Sequence, residues 1–313
     1  MTHGDDSAAV TALRQRWIAA LGGFPERTPL DARILKRADC GTYIRETVTF
    51  WSEPDEPMSA YVLVPKELRG PAAAVLCIHQ HAGEYDIGKS EAAGLIGNPD
   101  VAYARHLAQQ GFITIAPDLK GFETRRDSVL IGQTYERFLT TQAIVLGDTL
   151  QRRHLWDLIR TLDYLCTRPE VDAERIGCIG HSLGGQETFF LMATDERIHA
   201  GVVNCGVGTV QSFFDQQVSH NAAWYVPGFL ALGDTPTFVD LIAPRPLAII
   251  AGEKDRIFPL FGVRQIIAAA ESRYTAMGER DAFTYTLFDG GHSFPPENRD
   301  IAYAWIAQWL QQQ

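Results

Sequence analysis

Apolar positions along the chain follow two rhythms, one of period 3.6 and one of short unbroken runs. Between Ser7 and Leu21, Val10, Leu13, Trp17 and Leu21 share one helical face, and Gly22-Gly23 ends the run. This predicts an N-terminal helix. Tyr43-Ile44 and Val48-Thr49-Phe50 lead through a turn at Pro54 to Pro57 into Ala60 to Val64. Their β-branched and aromatic content predicts an antiparallel hairpin at a sheet edge. From residue 72 the pattern changes to the runs Ala73 to Ile78, Phe112 to Ala116, Ile176 to Ile179, Gly201 to Asn204, Leu247 to Ala251 and Phe283 to Phe288. Amphipathic stretches separate most of them, such as Leu155, Leu158, Ile159, Leu162 and Leu165. Another, with Ile301, Trp305, Trp309 and Leu310, follows the last run. Continuous apolar strands alternating with helices indicate a parallel sheet covered on both faces. The predicted fold is α/β: a mostly parallel central sheet flanked by helices, in one domain over residues 1–313, with 1–59 as helix and edge hairpin.

Two stretches break the alternation. Glu84 to Asp100 is rich in glycine and polar residues. Gly206 to Arg245 carries Phe213, Phe214, Trp224, Tyr225 and Phe229 among prolines and glycines. Excursions this long between sheet elements are commonly binding loops or lids, so residues 206–245 are expected to form a small cap-like insertion. A satellite core of these rings is the alternative.

Of 313 residues, 46% are hydrophobic, enough for a sizeable core. The formal net charge of −10 disfavours nucleic acid and anionic membrane as partners, because both need clustered Lys and Arg. Arg125-Arg126 and Arg152-Arg153 are only pairs. The five cysteines, Cys40, Cys77, Cys166, Cys178 and Cys205, show no CxxC or zinc-type spacing. Free thiols and a cytoplasmic location are therefore expected. The first residues lack the basic and apolar regions of a leader, and no apolar stretch reaches membrane-spanning length.

The chemistry centres on Gly180-His181-Ser182-Leu183-Gly184, followed by Gly185. GxSxG alone is a weak signal, but here Arg175 to Ile179 reads as a buried strand and Gln186 to Ala193 as a helix. A serine between strand and helix must turn sharply, and small residues two before and two after let neighbouring backbone pass. The hydroxyl then emerges at the carboxyl edge of the sheet, with the helix N-terminus behind it. A serine needs a base to accept its proton. His292, in Phe288-Asp289-Gly290-Gly291-His292-Ser293-Phe294, follows the last strand and precedes the last helix. The orienting acid should follow the penultimate strand, where Asp255 and Glu253 are both available; the longer reach past the strand favours Asp255. The order Ser, Asp, His is that of α/β-hydrolases rather than of the two protease orders. A tetrahedral intermediate also needs two N–H donors. The Leu183 backbone supplies one, and the loop Cys77-Ile78-His79-Gln80-His81-Ala82-Gly83 supplies the other, from His81 or alternatively Gln80.

Gln80 and His181 beside this hole, and Trp224 and Tyr225 in the insertion, are the candidate substrate-contacting residues. If Trp224 or Tyr225 faces Ser182, the acyl pocket is short and walled by aromatics. No metal or cofactor is expected. His79 and His81 form a His-x-His pair without a carboxylate in a matching position, which is weak for a metal site.

These residues resemble the α/β-hydrolase superfamily, and within it the dienelactone hydrolase-like and acetyl xylan esterase-like branch. The resemblance rests on Leu76 to Gly83, Ala116-Pro117-Asp118 with Gly121-Phe122, and Arg168 to Asp172 leading to Arg175-Ile176-Gly177. It rests also on Gly180 to Gly185, Ala243 to Pro246, Gly252 to Pro259 and Gly291-His292. Together they span about residues 60 to 313. The chain departs from dienelactone hydrolases in having Ser182 where they use cysteine, and from the usual His-Gly of the oxyanion loop in having His79-Gln80. The resemblance implies a serine hydrolase cleaving small carboxylic esters through an acyl-enzyme. Hydrolysis of lactones or carbon–carbon bonds by the same triad, and a non-catalytic binding protein on this fold, are the competing readings. A homodimer is left open, since the helix around Trp17 could pack on its own domain or on a second copy.

Overall fold

The structure, a computed structural model, describes residues 3–311. One nine-stranded sheet runs through it: β1 (Arg33–Asp39), β2 (Tyr43–Glu53), β3 (Glu56–Pro65), β4 (Ala72–Ile78), β5 (Ile113–Pro117), β6 (Val171–His181), β7 (Ala200–Asn204), β8 (Leu247–Gly252) and β9 (Phe283–Phe288). The spatial order is β1-β2-β3-β5-β4-β6-β7-β8-β9. The first three strands pair antiparallel, and β3 joins β5 antiparallel. All pairs from β5 to β9 are parallel. The hairpin expected at the edge exists as β2 and β3, but β1 lies outside it. Its sequence, RILKRAD, is exposed at six of seven positions, so it buries no apolar face and leaves no apolar signature.

The unbroken apolar runs have a direct cause. On β4, Ala74, Leu76 and Ile78 join the larger core, while Ala73, Val75 and Cys77 point into the smaller one. Strand β8 splits the same way, with Leu247, Ile249 and Ala251 opposite Ala248 and Ile250. Side chains alternate across a strand, so a sheet buried on both faces must be apolar at every position.

The helices are α1 (His3–Leu21), α2 (Lys89–Ala92), α3 (Tyr103–Gln109), α4 (Gln133–Val145), α5 (Leu150–Cys166), α6 (Leu183–Thr194), α7 (Val210–Asp215), α8 (Val239–Ile242), α9 (Leu260–Met277) and α10 (Pro296–Leu310). Residues of α1, α5, α6 and α9 fill the larger core, and those of α3 and α10 the smaller. Trp17 of α1 packs within its own chain, 5.2 Å from Phe190 and 4.9 Å from Phe238 by ring centroids. The 206–245 excursion holds α7, α8 and three short 3₁₀ turns. Among the described residues no helix is long and apolar enough to cross a membrane.

Candidate active site

Strand β6 runs into α6 through Ser182, whose backbone sits at φ 57°, ψ −119°. That conformation is costly for a residue with a Cβ, and its surroundings enforce it. A Cβ on Gly180 would lie 2.2 Å from the carbonyl carbon of Gly184, and one on Gly184 would lie 2.0 Å from the Ile78 oxygen. The two glycines of the motif are thus where α6 presses on the ends of β6 and β4. The Ser182 N–H donates to the Asn204 carbonyl at 3.0 Å, fixing the turn to β7. Leu183 opens α6, so its N–H is one of the helix's unpaired donors.

The loops after β8 and β9 meet beside this turn. His292 Nδ1 donates to Asp255 Oδ2 at 2.8 Å. Asp255 Oδ1 also accepts from the N–H groups of Ile257 (2.9 Å) and Phe258 (3.2 Å). Burial would raise the Asp255 carboxyl, but His292 and the two N–H donors hold it below the usual carboxylate range. Glu253 points to solvent, 3.4 Å from Arg264, so only Asp255 reaches the imidazole. The His292 ring lies 4.6 Å from His181 and stacks on Phe258 at 5.7 Å. Neither Ser182 Oγ nor His292 Nε2 makes a hydrogen bond among the described residues, so the Ser–His contact is not closed in this conformation; such bonds often tighten only with substrate bound.

His181, a candidate for substrate contact, is instead buried. Its Nδ1 accepts from Asn204 Nδ2 at 2.6 Å, and burial first, then the nearby His292, lowers its pKa to about 3. It is a neutral ring backing His292. Asn204 also donates to the Ser293 carbonyl at 3.1 Å, which ties the His292 loop to β7. Trp224, the other ring offered for substrate contact, packs mainly on other rings. It is buried among Phe190, Phe213 and Phe258, and Phe258 lies between it and His292. Tyr225 is more exposed, and its hydroxyl accepts from the His220 N–H at 2.9 Å. Trp224 thus belongs to the satellite core, and with Phe214 and Tyr225 it also lines a surface cavity of about 320 Å³.

The loop after β4 starts against Gly184, since the carbonyls of Ile78 and His79 are its nearest neighbours. His79 is buried and accepts from the Leu119 N–H at 3.2 Å, and burial lowers its pKa to about 4. Gln80 donates to Glu91 at 3.1 Å. His81 meets a carboxylate that its sequence neighbours do not reveal: Glu136 of α4, 3.5 Å from Nε2, an electrostatic contact rather than a hydrogen bond. The same carboxylate accepts from Tyr85 Oη at 2.6 Å and from the Ala222 N–H at 2.9 Å. Burial would raise Glu136, but these three partners lower it to about 2. Cys205 is the other residue not foreseen. It follows β7 at φ 43°, buried, and its Sγ clusters with Asp255 and His292. The rule that placed Asp255, a polar group just past a strand at the carboxyl edge, applies equally to Asn204-Cys205.

The fold and the chain's relatives agree. Over 302 residues it is 29% identical to YtaP of Bacillus subtilis (strain 168), a protein named as a hydrolase, covering 95% of this chain and 98% of the relative. Its structure is similar to one named as an acetyl xylan esterase from Bacteroides fragilis NCTC 9343, with TM-score 0.78, 19% identity, and 92% and 76% of the two chains covered. A glucuronoyl esterase from Solibacter usitatus aligns with TM-score 0.70 and 18% identity over 95% of this chain and 92% of its own. The resemblance to α/β-hydrolases read from the sequence holds. Matched to the Abhydrolase family over residues 14–280, the chain belongs to that family, a hydrolase built on the α/β-hydrolase sheet.

Proposed function

We propose that the protein is a serine esterase that cleaves small carboxylic esters through an acyl-enzyme. The observation that carries this reading is Ser182 held in a strained turn at the carboxyl edge of the sheet, beside an imidazole already bound to a buried carboxylate. Ser182 Oγ attacks the ester carbonyl while His292 Nε2 takes its proton. Asp255 keeps the proton of neutral His292 on Nδ1, which leaves Nε2 able to accept, and stabilises the imidazolium that forms. The Leu183 N–H and a second donor from the Gln80-His81 backbone receive the negative oxygen. His292 then returns the proton to the leaving alcohol, and water repeats the sequence on the acyl-enzyme. The carbohydrate esters named for the two esterase neighbours make an acetylated sugar a sensible first substrate.

A fluorophosphonate probe tests the assignment. In folded protein it should label Ser182 alone, and Ser182→Ala should abolish both labelling and p-nitrophenyl acetate turnover. No labelling returns the non-catalytic reading, and labelling elsewhere moves the nucleophile away from Ser182.

A further inference from the structure

Cys205, Asp255 and His292 each present one ligand atom, and these atoms all lie within 4.8 Å of one another. They come from three different loops at the carboxyl edge, after β7, β8 and β9. A thiol, a carboxylate and an imidazole are together a zinc donor set, with bonds of about 2.3 Å to sulfur and about 2.0–2.2 Å to nitrogen and oxygen. Donors bound at those lengths to one tetrahedral ion sit ~3.5 Å apart, so small side-chain rotations close the set. The sulfur selects for soft ions such as Zn²⁺ and Cd²⁺ over Mg²⁺ and Ca²⁺. Two of the donors are already held in place. His292 is bound to Asp255, and Asp255 to the N–H groups of Ile257 and Phe258. Cys205 is fixed through its N–H to the Ile250 carbonyl at 2.8 Å.

We propose that Cys205, Asp255 and His292 form an inhibitory site for a thiophilic divalent cation. Binding releases one proton, from the Cys205 thiol, and the thiolate and carboxylate balance the charge of the ion. Whichever ring nitrogen of His292 coordinates, the base is lost. Through Nδ1, the ring proton moves to Nε2, which no longer accepts from Ser182. Through Nε2, the accepting lone pair is itself consumed. The thiol thus turns a metal-independent triad into one that a soft cation switches off. The inhibition rests on the triad proposed above, whereas the binding does not.

The test uses the full chain with Cd²⁺ and Zn²⁺ as probes. Cd²⁺ should raise a thiolate-to-metal absorption band in the near ultraviolet. Zn²⁺ should inhibit acetate ester hydrolysis reversibly, with activity restored by a chelator. Cys205→Ala, and Cys205→Ser should the alanine variant not fold, should keep basal activity, lose the Cd²⁺ band and raise the inhibitory Zn²⁺ concentration at least tenfold. An undiminished band in the variants, or equal inhibition of variant and wild type, overturns the site. A band that depends on Cys205 together with unchanged hydrolysis upholds the site and refutes the triad.

Discussion

Two carboxylate–histidine pairs among the described residues have nearly equal length and opposite character. His292 and Asp255 meet at 2.8 Å where three loops leave the sheet, and the ring keeps a quarter of its surface open. His154 and Glu187 meet at 3.1 Å between α5 and α6, both buried. The second pair is saturated. His154 Nδ1 faces Glu187, Nε2 donates to the Lys120 carbonyl at 3.2 Å, and Gln151 donates to the other Glu187 oxygen at 2.6 Å. With both ring nitrogens facing acceptors, the imidazolium is the form that fits. Burial lowers the His154 pKa, but Glu187 outweighs that and raises it. The first pair leaves Nε2 unbonded. An acid beside a histidine is therefore not in itself a sign of catalysis; what separates the two is that one ring keeps a nitrogen without a partner among the described residues, as the proposed base requires.

The sharpest break of this contrast is Asp255→Asn. The amide cannot fix the ring proton on Nδ1, so kcat should fall by roughly 10⁴ with KM little changed. Steady-state kinetics on p-nitrophenyl acetate checks this. A similar loss from Glu253→Gln would move the acid.

Glu187→Ala should do the reverse. Removing one partner of a buried pair costs about 3–5 kcal/mol, measurable as a lower denaturation midpoint, while kcat per folded molecule stays within a few-fold. The pH dependence has a definite sign. With a raised folded pKa, His154 contributes its full stability below its unfolded value near 6.5 and loses it as pH rises through the folded pKa. Wild type should therefore lose more stability than Glu187→Ala as pH is raised above about 6.5. Parallel pH profiles would show that His154 is not held charged.

How legible each region was follows from what its residues pack against. Strands β4, β5, β7 and β8, and β6 from Ile176 on, could be read because both faces are buried and nearly every position is apolar. Strand β1 could not, because its polar side chains stand in solvent. Helix α4 left no stripe, since only Leu139 and Ala143 of it are buried. Ser182 and the Asp255–His292 pair were legible because the turn demands glycines at fixed spacing and chain order limits the partners. Trp224 was ambiguous: a ring in a loop gives no sign of whether it faces a cleft or other rings. Glu136 was not legible because no motif marks it and its partners are distant in sequence; Cys205 was passed over because a cysteine after an apolar run reads as a small core residue, although the rule that placed Asp255 applies to it.

Glu136 offers the subtlest test, since it is a third carboxylate beside a histidine and does neither job. It holds the loop after β4 through Tyr85 and His81, and the insertion through the Ala222 N–H. If that loop supplies the second oxyanion donor, Glu136 acts on the reaction only by keeping the donor in place. Losing an oxyanion donor outright costs 10²–10³ in kcat, so loosening one should cost about tenfold. Glu136→Gln keeps the shape but offers one accepting oxygen where two are needed. Its kcat should therefore fall about tenfold with KM within a factor of three. Stability supplies the independent check. A carboxyl at about 2 in the folded chain, against 4.5 unfolded, contributes on the order of 3 kcal/mol above pH 4.5, lost as pH falls toward 2. The gap between wild type and variant should accordingly narrow over that window. A variant with the stability change but unaltered kcat would leave Glu136 as a fastener of the 206–245 segment alone, and the second donor would have to be sought away from the loop it holds.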